Sequence, residues 1–137
     1  MVGSSFVRTA VDTDASRIAA HRAASLTESD LYRGHVRNLS SSSGGELSLV
    51  AGFGTTVMAS LTARIDETHA VIQHIFVVPE SREVGLGDSL IQTLITELRA
   101  RGVQLIEAQA LPGDRGMKNL FERHGLIAQT IIVGKSL

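Results

Sequence analysis

The spacing of apolar positions changes along the chain, and each change marks an element. Phe6-Val7-Arg8-Thr9-Ala10-Val11 alternates in apolar character and predicts a first strand. Asp12 or Asp14 can cap the helix that follows, because a short carboxylate accepts hydrogen bonds from the free N–H groups of a first turn. Ile18, Ala19, Arg22 and Leu26 keep helical spacing and predict a helix from about Ala15 to Ser25. Thr27-Glu28-Ser29-Asp30 reads as a second start signal, with Leu31, His35, Val36 and Leu39 on one face of a short second helix. Ser40 to Gly45 holds only serine and glycine and reads as a surface flap; the segment before it is too small to fold alone.

Glu46–Phe53 and Thr56–Ile65 are strand-like runs about a turn near Gly52 and Gly54, the pattern of a hairpin. His69 to Val78 is almost continuously apolar at Val71, Ile72, Ile75, Phe76, Val77 and Val78, which suits a central strand covered on both faces. Pro79 ends it. Leu90, Ile91, Leu94, Ile95 and Leu98 then predict a helix from Gly87 to Arg101, stopping at Gly102. Val103–Leu111 reads as a strand, Pro112-Gly113 as a turn, and Asp114 as the cap of a short helix that carries Leu120 and Phe121 and ends at Gly125. Leu126–Leu137 supplies a last strand through Ile131, Ile132 and Val133. The predicted class is mixed α/β (α+β), and 137 residues suit one domain, 1–137, without an internal repeat.

Composition narrows the function classes. An apolar fraction of 43% is ordinary for a folded chain, and a net charge of −1 with no Lys/Arg block offers no field for gripping nucleic acid. The absence of cysteine excludes disulfides, thiolate metal sites and a cysteine nucleophile, and fits a cytoplasmic protein. Residues 1–10 lack the apolar core of a signal peptide, and no apolar run approaches the roughly 20 residues needed to span a bilayer. His21, His35 and His69 are scattered without metal-ligand spacing, so no metal is expected.

One stretch carries chemistry. Gly85 and Gly87 stand where the long helix begins, with Arg82 just upstream. A helix N-terminus leaves N–H groups unpaired and carries partial positive charge, and glycines let backbone N–H groups approach a bound anion. A dinucleotide fingerprint needs a third glycine where Leu90 stands, and a Walker A loop needs Lys where Asp88 stands. Arg82-Glu83-Val84-Gly85-Leu86-Gly87 instead resembles the Arg/Gln-x-x-Gly-x-Gly/Ala signature of the GNAT superfamily of acyl-CoA-dependent N-acetyltransferases, and Ile75-Phe76-Val77-Val78-Pro79 is similar to the strand leading into it. Leu120-Phe121-Glu122-Arg123-His124-Gly125-Leu126 resembles the family's second landmark, Leu-Tyr-Glu-Lys/Arg-x-Gly-Phe, and Val133-Gly134-Lys135-Ser136-Leu137 the way many members end.

That resemblance, covering Phe6 to the end, implies a mostly antiparallel sheet splayed between its fourth and fifth strands, His69–Val78 and Val103–Leu111, and flanked by helices. It implies acetyl-CoA as cofactor. The pantetheine arm would pair with backbone around Phe76, Val77 and Val78, and the pyrophosphate would meet N–H groups of Glu83, Val84, Gly85, Leu86, Gly87, Asp88 and Ser89, near Arg82; Asn119 would reach toward the arm. The partners implied are acetyl-CoA and an amine acceptor, with no nucleic acid and no membrane; homodimers are common in the family.

Acetyl transfer requires a neutral amine, a polarised carbonyl and a proton for the leaving thiolate. A lysine-like amine of pKa about 10.4 is neutral roughly one time in 2,500 at pH 7, a handicap of about 4–5 kcal/mol. The landmark tyrosine that many members use as acid is Phe121 here, so Tyr32, the chain's only tyrosine, is the alternative acid, with water another source of the proton. For the base, His74 lies beside Gln73 on the fourth strand, where members often place a Glu, and an unperturbed imidazole suits neutral pH. Glu107 on the fifth strand is a further candidate, His124 reads as a helix-end residue, and Tyr32 and His74 each have a plain packing alternative. Glu28, Asp30 and Glu46 would attract a cationic amine or simply be solvated. Three functions stay open: an N-acetyltransferase, a weak or inactive acyl-CoA-binding regulatory domain, and an interaction module that leaves Arg82–Gly87 unexplained.

Overall fold

The computed structural model describes residues 4–39 and 44–137. Within them the elements follow as β1 (Ser5–Thr9), α1 (Ala15–Ser29), β2 (Gly45–Phe53), β3 (Thr56–Asp66), β4 (His69–Val77), α2 (Leu86–Ala100), β5 (Leu105–Glu107) and α3 (Arg115–Arg123), with 3-10 turns at Asp12–Asp14 and Pro79–Ser81. The strands lie in the order β1-β2-β3-β4-β5, antiparallel except for the parallel β4–β5 pair. The mixed, mostly antiparallel architecture expected from the sequence is the one observed.

Strand alternation divides the sheet into two unlike faces. Leu47, Leu49 and Ala51 of β2, with Ala59, Leu61 and Ala63 of β3, pack against Leu86, Leu90, Ile91, Leu94 and Leu98 of α2 in one buried cluster. The alternate positions, among them Ser48, Ser60, Thr62 and His74, face α1 and are far more polar. On β4 an extra residue at Gln73 shifts the register, so that Thr62 pairs with His74 but Ala63 with Ile72. The bulge explains why Ile72 and Ile75, three residues apart, both join the α2 cluster.

A second irregularity, between Ala51 and Gly52, closes the β2–β3 hairpin tightly. A β-carbon on Gly52 would lie 1.8 Å from the Thr56 carbonyl oxygen, a clash with backbone that no rotamer relieves. Gly52→Ala should therefore destabilise the fold by about 1–3 kcal/mol, as overpacking elsewhere does. Urea unfolding measures it; an unchanged midpoint would mean that the bulge relaxes freely.

Several expectations need correction. Asp14 stands at the start of α1 but does not cap it: its buried carboxylate turns back to the Val11 N–H at 2.8 Å and to both Arg8 nitrogens, at 2.7 and 3.1 Å. The second start signal is part of α1. Thr27 Oγ donates to the Ala23 carbonyl and Ser29 Oγ to that of Leu26, so the hydroxyls serve the helix they sit in instead of starting another. The expected second helix is absent; residues 30–39 form turns, bends and irregular chain, with Leu31 78% exposed. The expected Val103–Leu111 strand shrinks to β5, which pairs with β4 over three residues. The last strand does not form either, and Ile131 and Val133 stand 86% and 89% exposed. So short an edge offers little ladder for another strand to extend. The flap falls outside the described residues from 40 to 43, and Gly45 already begins β2.

Candidate functional site

β4 and β5 touch only at His69–Leu105, Ala70–Ile106 and Val71–Glu107, and beyond these pairs no ladder joins them. The sheet is thus splayed toward the C-terminal half of β4. There the antiparallel pattern decides which backbone groups are engaged. The Val78 N–H donates to the Met58 carbonyl, and Phe76 lies opposite Ser60 in the same phase, so both residues turn their backbone groups to β3. Ile75 and Val77 turn theirs to the gap. Of the expected trio Phe76, Val77 and Val78, only Val77 turns its backbone to the gap, with its carbonyl engaged by Arg82 Nε; Ile75, outside that trio, turns the same way. Phase could not be read from sequence, because the Gln73 bulge resets it.

The glycine loop opens at the same end. After the Pro79–Ser81 turn, Glu83 takes φ 67° and Gly85 φ 89°, and α2 begins at Leu86. No side chain caps α2, and its first internal bond runs from the Ser89 N–H to the Gly85 carbonyl. The N–H groups of Leu86, Gly87 and Asp88 therefore precede the helix ladder, whereas that of Ser89 is already engaged, which removes Ser89 as a backbone donor. Beside Gly85 the space is open: a β-carbon would meet nothing within 4 Å. The unladdered N–H groups, the helix dipole and this clearance fit a bound anion.

Asp88 ties α3 to this first turn. Its carboxylate accepts from Arg123 Nε and Nη2 at 3.1 and 3.2 Å and pairs with His124 Nε2 at 2.8 Å. Arg123, then His124, holds the Asp88 pKa below its ordinary value. Leu120 packs so close that a β-carbon on Gly87 would approach its Cδ2 to 3.2 Å. Asn119 is exposed on α3, and Phe121, 6% exposed, is embedded in the α2 cluster.

On the α1 face, Ser60 bridges two imidazoles, with 2.7 Å to His21 Nδ1 and 3.1 Å to His74 Nε2. A hydroxyl has one proton, so it donates to one ring and accepts from the other. His74 Nδ1 is buried without a partner. An orphaned lone pair costs less than an orphaned N–H, so His74 donates from Nε2 to Ser60, and Ser60 donates to His21. Burial, then the nearby Arg22 and His21, pushes the His74 pKa down to about 4; burial and Arg17 also lower that of His21. His21 and Phe76 line an open groove with Ser16, Arg17 and Glu80, between α1 and the end of β4.

Tyr32 is half-buried beside Gly113, where a β-carbon would come within 3.5 Å of its ring, and the Gln109 side chain both donates to and accepts from the Arg37 backbone. Residues 32–37 thus pack against the β5–α3 connection. Glu107 is taken up by His69 at 2.6 Å, where β4 and β5 are still joined. Among the described residues no three His, Cys, Asp or Glu side chains stand together as a metal site, and no helix is long and apolar enough to cross a membrane.

Comparison with known proteins agrees with this geometry. No curated protein matches the chain in sequence. An aminoglycoside acetyltransferase, meta-AAC0020 from an uncultured soil metagenomic sample, is similar in structure with a TM-score of 0.72 and 14% identity, over 97% of this chain and 95% of that one. AAC(6')-Iy, in complex with the bisubstrate analog CoA-S-monomethyl-acetylneamine, gives 0.72 and 15%, over 98% and 99%. A transcriptional regulator from Bacillus halodurans C-125 gives 0.75 and 15%, over 98% and 100%. At such identities the likeness is one of fold. The Acetyltransferase (GNAT) family itself matches residues 11–126, and the chain belongs to that family.

Proposed function

We propose that this chain, as one cytoplasmic domain, moves an acetyl group from acetyl-CoA directly to a primary amine of a small molecule, peptide or protein. The observation that carries the proposal is a convergence. The outward backbone groups of Ile75, the outward N–H of Val77 and the unladdered N–H groups of Leu86, Gly87 and Asp88 meet at one end of one gap. The first set suits an amide-bearing arm laid along a strand edge, and the second suits a diphosphate. The structurally similar AAC(6')-Iy, bound to an analog that joins CoA to an acetylated amine, supports the same pairing of donor and acceptor.

Acetyl-CoA, when bound, supplies the activated thioester. The chain's own share is to orient and to handle protons. An N–H from Ile75 or Val77 is a fixed dipole on the gap and suits a polarised carbonyl. Tyr32, whose ring lies against Gly113 before α3, is the acid we assign. His74, beside the Gln73 bulge, is the imidazole assigned to the amine's proton. Burial keeps it neutral at pH 7, but its free lone pair lies on the buried Nδ1, and a pKa near 4 is about six units below that of a lysine-like ammonium. The fraction of acceptor that is already neutral therefore governs the rate.

Calorimetry with acetyl-CoA, followed by free-thiol release across a panel of amines, tests the proposal. Binding and release support it; no binding at millimolar donor overturns it. Binding without release favours the second function, an inactive acyl-CoA-binding regulatory domain, which Phe121 in place of a hydroxyl-bearing residue motivates. Phe121→Tyr separates the two. It should raise turnover, by about 100-fold or more if the new hydroxyl acts as a general acid. No gain would mean that the proton comes by another route, Tyr32 being first in line.

A further inference from the structure

The glycine loop is gripped from the α1 side by a single side chain. Arg82 Nε donates to the Val77 carbonyl at 2.8 Å, Nη2 donates to Glu28 at 2.5 Å, and the guanidinium stands 5.3 Å from the centroid of the Phe76 ring. Arg82 is thereby held at three points: a strand end, a helix end and an aromatic face. The next residue, Glu83, takes a left-handed φ of 67° although it is not glycine, a conformation that side-chain-bearing residues adopt at a cost. Something outside the loop has to hold it there.

Glu28 is oddly placed for its own helix. It lies in the last turn of α1, where the free carbonyls disfavour a carboxylate, and no basic residue shares that turn. Its ion pair is with Arg82, 54 positions away.

We propose that Glu28 is a positioning residue for the cofactor loop: it fixes the Arg82 guanidinium and so holds Glu83 to Gly85 in the shape that aims the N–H groups at the donor's diphosphate. This rests on the loop being an acyl-CoA cradle. It opposes the simplest electrostatic expectation, because removing a negative charge near an anionic ligand should tighten binding.

The test is coenzyme A calorimetry on the full chain, for wild type, Glu28→Gln, Arg82→Lys and the double variant. Lysine keeps the charge but loses the planar fork. Each single change should weaken coenzyme A binding about fivefold, the upper range for a half-exposed ion pair. The double variant should be scarcely weaker than either single one, because the two groups act as a unit. In turnover assays Glu28→Gln should raise KM for acetyl-CoA with kcat unchanged, and thermal unfolding, run in parallel, should show every variant folded. Affinity that is unchanged or tighter in folded Glu28→Gln overturns the positioning role while leaving the cradle intact. A wild-type chain that binds no coenzyme A overturns both.

Discussion

Replacing Gly85 by glutamate should abolish coenzyme A binding while the chain still folds. Two penalties add. Gly85 has φ 89°, so any side chain there strains the backbone. A carboxylate beside a bound diphosphate adds repulsion of about 4 kcal/mol for unit charges 4 Å apart at an effective dielectric of 20, roughly a thousandfold in Kd. Gly85→Ala separates the two effects. A methyl group meets nothing within 4 Å, so alanine carries the backbone strain alone, about 1–2 kcal/mol, and should retain measurable binding. Calorimetry ranks the three chains. Equal affinity in folded Gly85→Glu would place the diphosphate elsewhere; equal losses in both variants would make the effect one of loop shape rather than charge.

Acid should loosen the fold before Asp14 and Asp88 lose their ion pairs. In the folded chain burial lowers the His74 pKa from 6.5 to about 4, so between those values the unfolded chain holds a proton that the folded chain lacks. Stability therefore falls as pH drops from about 6.5 to about 4 and is fully present above that window. The total is about 3 kcal/mol, a large share of a typical domain's stability. His21 shifts the same way and adds to the slope. The carboxylates come later. The Arg8 hydrogen bonds lower the Asp14 pKa and those of Arg123 lower that of Asp88, so the stability they contribute is present above about pH 3.8 and is lost as pH falls through their folded values. Urea unfolding at pH 7, 6, 5 and 4.5 measures the His74 window. His74→Gln keeps a donor near Ser60 without titrating and should flatten most of the slope. A flat wild-type profile, or an undiminished slope in His74→Gln, would contradict the assignment.

What the sequence by itself determined is what a short stretch of chain can specify. Strand-like runs about Gly52 and Gly54 marked the β2–β3 hairpin, and an almost unbroken apolar run marked β4, because a strand covered on both faces needs apolar side chains on each. The apolar spacing from Leu90 to Leu98 gave α2, Asp114 gave the cap of α3 through its bond to the Met117 N–H, and Gly85 and Gly87 marked where the long helix begins. From those local signals came the candidate cradle, and with the second landmark came the family.

Tertiary structure decided whatever depends on a distant partner. Thr27 and Ser29 carry the same hydroxyls whether they open a helix or bond backward into one, and only the folded chain shows that α1 runs on to Ser29. The Gln73 bulge is set by pairing with β3, and it decides that Ile75 and Val77, rather than Phe76 and Val78, present backbone to the gap. The His21–Ser60–His74 chain joins residues 39 and 14 positions apart, and the Glu28–Arg82 pair spans 54; neither leaves a local pattern. Periodicity suggested strands beyond Glu107 and Leu126, but a strand is completed by its neighbour's hydrogen bonds, and in the splayed sheet β5 supplies a ladder only three residues long.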